Sequence, residues 1–193
     1  WCLQHGKLLD LTFNASKTWF KKPFAMLASP FKSVVWIDLD CEIRKPIDKI
    51  FEYAANGVAV TLDPHNRWCK NGHVVATGVV AAENGNKLIL EWAKQCLNTK
   101  LRGDQEVFNG IISSNRGGVV VMPPEFQWLR LDGDNPNAVI MHWTGEQGRN
   151  IIRGKMGLKP KCKPVVYTHS VRPGVRPETC IKLHIKNRFT RQK

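Results

Sequence analysis

Two carboxylates, Asp38 and Asp40, stand at the end of the run Val34-Val35-Trp36-Ile37-Asp38-Leu39-Asp40-Cys41-Glu42. The β-branched, apolar character of 34–37 predicts a buried strand. Strand side chains alternate, so residues i and i+2 share one face and both acids enter the same small volume. Two like charges held that close repel unless a cation neutralises them. Carboxylate oxygens suit Mg²⁺ or Mn²⁺, ions that take one or two protein carboxylates and leave room for substrate phosphates. The chemistry this pattern predicts is metal-dependent and acts on a phosphorylated or nucleotide-activated substrate.

Three further sites could join that pair. His142 closes the apolar run 139–142, and its neutral imidazole offers a third metal ligand. After it comes Trp143-Thr144-Gly145-Glu146-Gln147-Gly148-Arg149, where two glycines let backbone N–H groups approach a diphosphate and Arg149 can pair with its charge. Gly103-Asp104-Gln105-Glu106 opens a helix, and a purely structural account exists: Asp104 as N-cap, Glu106 as first-turn acid. Thr77-Gly78 interrupts an apolar run, as a bulge or as a place where a ligand needs the backbone close.

The elements that must position these residues follow from periodicity. Phe20, Phe24, Leu27 and Ala28 predict a helix over 17–29, with Pro23 near its first turn. Strands are expected at 33–38, 58–62, 74–82, 119–122 and 139–142. Helices are expected at 46–55, at 87–97 (Leu88, Trp92 and Cys96 at i, i+4, i+8) and at 104–112. Alternating strands and helices of these lengths indicate an α/β fold with a mostly parallel sheet flanked by helices. In such sheets ligands gather at the carboxyl ends of the strands. A polar loop spans 63–73, and short strand-like pieces stand at 165–167 and 181–185.

Composition bounds the rest. With 193 residues, 42% of them hydrophobic, the chain can bury one sizeable core. No apolar run of membrane-spanning length occurs. The chain opens on Trp1 rather than Met, which suggests a piece of a longer or processed chain. Six scattered cysteines without a CxxC pair fit a reduced, cytoplasmic protein. Asn14-Ala15-Ser16 matches the N-glycosylation pattern, which arises often by chance.

The net charge of +13 is uneven. From Arg149 onward there are thirteen Lys or Arg against one acid, Glu178, while the first 148 residues carry sixteen basic and fifteen acidic residues. Two domains are therefore expected, a near-neutral core over 1–149 and a basic C-terminal extension over 150–193. The extension attracts phosphate, anionic lipid or nucleic acid without specifying which. It lacks the interleaved aromatics of a single-strand platform, so nucleic acid is disfavoured.

The order of the motifs carries a resemblance over residues 20 to 150. Lys22-Pro23-Phe24-Ala25 leads to Trp36-Ile37-Asp38-Leu39-Asp40, then Thr77-Gly78-Val79-Val80, then Asp104-Gln105-Glu106-Val107-Phe108-Asn109, then His142-Trp143-Thr144-Gly145. This resembles the GT-A fold nucleotide-sugar glycosyltransferases, and most closely the retaining glycogenin and bacterial galactosyltransferase type. The resemblance implies a Rossmann-like α/β core that transfers a hexose from a nucleotide diphosphate sugar, UDP-sugar first, to an acceptor hydroxyl with retention. It implies Mn²⁺ or Mg²⁺ bound by Asp38, Asp40 and His142. Lys22, Asp38, Thr77, Gly78 and Gly145 would contact the donor, and Asp104 and Gln105 would lie beside the sugar and the reacting carbon. The acceptor would be a saccharide, a lipid-linked sugar or a protein.

There are departures from the family pattern. Thr77 stands where Asn is usual and Glu106 where a second Asp is usual. Gly148-Arg149 stands where a Lys-Pro-Trp is usual, which leaves Arg149 as the candidate phosphate contact. The family's nucleotide-reading strand lies well before the Asp-x-Asp, and only 37 residues precede Asp38 here. The rival expectation is a non-enzymatic module that binds nucleic acid or anionic membrane through the basic extension. A cytoplasmic transferase docked peripherally on a membrane by the same segment combines the two. Nucleotidyl transferases are disfavoured because their Gly-rich, Lys/Arg-bearing start is absent.

Overall fold

Seven strands and five α-helices form over residues 18–65, 74–114 and 117–159, the parts that the computed structural model describes. In chain order these are α1 (Lys22–Leu27), β1 (Ser33–Ile37), β2 (Cys41–Ile43), α2 (Lys49–Ala54), β3 (Val58–Leu62) and β4 (Val75–Glu83). They continue with α3 (Lys87–Asn98), α4 (Asp104–Ser114), β5 (Val119–Val121), β6 (Trp128–Leu129), β7 (Ile140–His142) and α5 (Gly145–Lys155). The helix expected over 17–29 is a 3₁₀ turn, Thr18–Lys21, followed by α1, whose Pro23 sits in the first turn where no donor is needed. Asn86 caps α3, its side chain accepting from Leu88 N–H at 2.9 Å.

The main sheet runs β1-β4-β3-β5, and a smaller sheet runs β2-β7-β6. β1, β3 and β5 point one way, but β4 lies between β1 and β3 and runs against both. The expected mostly parallel sheet holds for strand direction, with β4 as the exception. Most strands share a direction, yet two of the three ladders are antiparallel, because the chain returns from β3 directly into its neighbour. The periodicity of an apolar run carries no information about direction.

β4 is buried on both faces along Val75–Ala82, as a central strand must be. Its residues divide between two cores, by alternation from Val79 to Ala82 and with the register irregularity bringing Val75 to the side of Val80. Val75, Val80 and Ala82 face Phe20, Met26, Trp92, Phe108 and Ile111, while Val79 and Ala81 face Ile50, Ala54, Met122, Phe126 and Ile140. Trp92 is fully buried, its ring 4.9 Å from that of Phe108, and its Nε1–H donates to the Asp104 carbonyl at 2.9 Å. Core packing and the placement of Asp104 are thus one contact.

The β3–β4 register slips between Ala59↔Ala81 and Thr61↔Ala76, so the irregular stretch of β4 is 77–80 and includes Thr77-Gly78. β1 ends at Ile37. Residues 38–40 are a turn closed by Cys41 N–H on the Asp38 carbonyl at 3.0 Å, with Leu39 at its exposed tip. The idea that strand alternation aims Asp38 and Asp40 is corrected: a turn redirects them.

α5 runs through Arg149, so the boundary drawn at 149 falls inside a helix, and the unit containing the core reaches Pro160. The strand-like pieces at 165–167 and 181–185, the Asn14-Ala15-Ser16 site and most of the basic extension lie outside the described residues. Among the described residues no helix is long and apolar enough to cross a membrane.

Candidate active site

Lys22 is the hub of one half of the site. It opens α1 and is 3% exposed. Its ammonium lies 2.9 Å from Asp104 Oδ2 and 3.2 Å from Asp38 Oδ1, and it donates to the Thr77 carbonyl at 2.6 Å. An ammonium has three N–H donors, so all are used. The carboxylates are tied down as well. Asp38 Oδ1 accepts from Trp36 Nε1–H at 2.6 Å, and Asp104 Oδ2 accepts from the Thr77 hydroxyl at 3.0 Å. Asp104 spends its carboxylate on this network rather than on capping α4. Below it, the buried Cys96 thiol is pushed up to about 12 by burial first and then by the Asp104 charge, against the opposing Lys22.

The other half is built by the small sheet. Cys41 pairs with His142 across the β2–β7 ladder, and Trp143 N–H donates to the Asp40 carbonyl at 2.8 Å. That cross-strand register brings Asp40 and His142 together, with Nε2 3.3 Å from Oδ1. Arg149 reaches back from α5 to 3.6 Å from Asp40 Oδ2. Burial alone would raise the Asp40 carboxyl, but the adjacent His142, its own backbone N–H and Arg149 hold it below the ordinary carboxylate value.

Asp40, Cys41 and His142 each bring one ligand atom within 4.8 Å of the others, and they are the group among the described residues able to hold a metal ion. The donor set fits a divalent cation through one carboxylate and one imidazole. Cys41 is a poor third ligand. Its sulfur is a soft donor that suits Mn²⁺ or Mg²⁺ less well than oxygen or imidazole, and burial first, then the charges of Asp38 and Asp40, raise the thiol. Asp38 is not a member of this group; its carboxylate is turned to Lys22 and Trp36.

Gly78 lies between the halves. Its carbonyl accepts from Asp38 N–H at 2.8 Å, and a Cβ there would stand 2.6 Å from His142 Cε1 and 2.7 Å from both His142 Nδ1 and Gln127 Nε2. The strand therefore admits the imidazole only because residue 78 has no side chain. Gln105 joins the first half to β3: its Oε1 accepts from Thr77 N–H at 3.2 Å, and its Nε2 donates to Asp63 Oδ2 at 2.8 Å. Gly145 starts α5 at φ +80°, where an L side chain is strained, and Arg130 clamps the preceding Thr144 carbonyl at 2.5 Å. Glu42 braces the helix from the other side. It accepts from Trp143 Nε1–H at 3.0 Å and from Lys155 at 2.8 Å, and these contacts and Arg44 hold its carboxyl low despite burial.

The structure thus gathers Lys22, Asp38, Thr77, Asp104 and Gln105 into one network, and Asp40, His142 and Arg149 into a second, with Gly78 between them. Sequence reasoning missed Gln127, Asp63, Trp36 and Glu42. Gln127 had a signal, being a lone polar residue between Phe126 and Trp128 in a largely apolar stretch.

No protein-family model matches the chain, and no curated protein matches it. Solved structures do. A glycosyltransferase involved in glycosylation of the major capsid of PBCV-1 is 12% identical, with 76% of this chain and 81% of that chain covered and a TM-score of 0.54. The galactosyltransferase LgtC is 15% identical over 66% of this chain, with a TM-score of 0.48. Mouse xyloside xylosyltransferase 1 is 14% identical over 64% of this chain, with a TM-score of 0.45. The chain spans 58% of the former and 62% of the latter. The superposition on the PBCV-1 enzyme identifies the fold as that of the GT-A glycosyltransferases.

Proposed function

We propose that the chain forms the catalytic core of a metal-dependent glycosyltransferase that moves a hexose from a nucleotide diphosphate sugar, UDP-sugar first, to an acceptor hydroxyl with retention. The observation that supports this best is the convergence of Asp40 and His142, 102 residues apart in the chain, beside a polar network at the carboxyl end of β1. Elements that place a carboxylate and an imidazole within one ligand sphere are costly to assemble without a use.

Asp40 and His142 would hold Mn²⁺ or Mg²⁺, with Asp38 in the same turn as Asp40. Bound there, the ion supplies Lewis-acid stabilisation of negative charge on the leaving diphosphate. Arg149 and the N-terminal backbone of α5 at Gly145 add positive potential for the same oxygens. Lys22 acts at one remove, because its donors are committed to Asp38, Asp104 and Thr77. It fixes the carboxylates and neutralises them. Thr77 and Gly78 line the sugar side, and Asp104 and Gln105 set its floor. As the bond between the sugar and the diphosphate breaks, positive charge grows on the sugar, and these carboxylate and amide dipoles face it.

The acceptor is a saccharide, a lipid-linked sugar or a protein. Peripheral contact of the basic extension with anionic membrane belongs to the same proposal and is tested by vesicle co-sedimentation of the full chain against one ending at residue 159. For the donor, a panel of UDP-, GDP- and CMP-sugars is assayed for Mn²⁺-dependent thermal stabilisation and hydrolysis. Stabilisation by UDP-sugars alone is the expected result; no response to any nucleotide sugar, with or without Mn²⁺, rejects the assignment.

A further inference from the structure

Gln127 is 3% exposed and both ends of its amide are engaged. Val79 N–H donates to Oε1 at 2.7 Å, and the Thr61 hydroxyl lies 3.4 Å from the same oxygen. A backbone N–H only donates, so the amide oxygen must face Val79. That turns the amide nitrogen toward His142 Nδ1, 3.1 Å away. An amide nitrogen also only donates, so Nδ1 must accept. In a neutral ring the proton then resides on Nε2, the nitrogen that lies 3.3 Å from Asp40 Oδ1. A histidine that ligates a cation through Nε2 needs the opposite arrangement, with the proton on Nδ1 and donated to an oxygen.

From this geometry we infer that Gln127 is a positioning residue that latches the Asp40–His142 pair, an inference that rests on the cation role proposed for those two residues. With Oε1 on Val79, the pair is closed on a proton. With the amide turned over, Oε1 accepts from Nδ1–H and the Nε2 lone pair is free for a divalent cation. The exchange is a tautomerisation: Nε2 gives up one proton, Nδ1 gains one, and the ring stays neutral. The turned state sets Val79 N–H against the amide N–H₂, so it is the less populated of the two without a cation. Gly78 makes the device workable, since any β-carbon there would displace both the ring and the amide.

The experiment reads the proton directly. Two-bond ¹H–¹⁵N spectra of the ¹⁵N-histidine-labelled chain, without added metal, should show His142 as the Nε2–H tautomer. Saturating Mg²⁺ should convert it to Nδ1–H. In Gln127→Glu both side-chain oxygens accept, so Nδ1 should be protonated before any metal is added, and Mn²⁺ affinity by EPR titration should rise about tenfold or more. A wild-type His142 already protonated on Nδ1 overturns the latch, and so does a Gln127→Glu spectrum that keeps Nδ1 bare. Should that variant not fold, the two wild-type spectra alone decide. The metal-free spectrum needs no nucleotide sugar, so failure of the transferase reading is told apart from failure of the latch.

Discussion

Replacing Gly78 with Ala sets a single methyl group against the seam of the site. The added carbon would stand 2.6 Å from His142 Cε1, whereas ordinary contact begins at 3.4 Å, so the ring must retreat by about 0.8 Å. The strand cannot yield instead, because the Gly78 carbonyl holds Asp38 N–H at 2.8 Å. Nor does the ring have slack: Nδ1 is 3.1 Å from Gln127 and Nε2 is 3.3 Å from Asp40, so at least one of these contacts is lost. Overpacking of this kind costs about 1–3 kcal/mol, and the melting temperature falls by roughly 2–4 °C for each kcal/mol in a chain of this size. Mn²⁺ affinity should fall roughly 10- to 100-fold, the usual consequence of misaligning a ligand's support. Urea melts and an EPR titration of Mn²⁺ on the same protein check both numbers. A Gly78→Ala protein with wild-type stability and wild-type Mn²⁺ affinity would refute the claim that the imidazole occupies the space of the missing side chain.

Other substitutions probe separate links. Gly110→Ala, in the exposed middle of α4 with nothing within 4 Å of the new carbon, should raise stability by about 1 kcal/mol in the same urea melt; a loss would contradict its open placement. Lys22→Met leaves Asp38 and Asp104 facing each other without their shared cation. It should cost about 3 kcal/mol, the low end for breaking a buried pair because Asp38 is partly exposed, and an unchanged melt would count against the hub. Glu42 has a folded-state pKa below its ordinary value of 4.5, so its contribution is complete above that value and lost as the pH falls through the lower, folded one. Stability should hold steady from pH 7 to about 5 and decline below about pH 4.5. Glu42→Gln should flatten that decline, and an identical acid limb in the variant would remove Glu42 from the account.

Much of the fold was legible because apolar period and turn chemistry are local. The strands at 33–37, 58–62 and 75–83 and the helices from Lys87 and Asp104 stand where their patterns put them. Direction was not legible: β4 reads like any buried strand, and only tertiary pairing sets it against β1 and β3. The acids at 38 and 40 were visible as a pair, yet their division of labour depends on Lys22, which lies 16 residues upstream, and on His142, which lies 102 residues downstream of Asp40. Gln127 stood out only as a polar residue between two aromatics, and its role was hidden for a similar reason. Its role follows from Val79, Thr61 and His142, three residues that no local window contains. Cys41 carried no metal-ligand spacing in the chain, and it meets His142 only through the β2–β7 ladder.

In the proposed enzyme Asp40 and His142 serve sugar transfer through a divalent cation. Release of UDP from a UDP-hexose by the full chain, with Mn²⁺, with EDTA and in Asp40→Asn, tests it most directly. The expected result is turnover with Mn²⁺, loss with EDTA and a fall of at least about 10²-fold in Asp40→Asn with its melt within about 1 kcal/mol of wild type. Equal turnover in EDTA, or an undiminished Asp40→Asn, would contradict it.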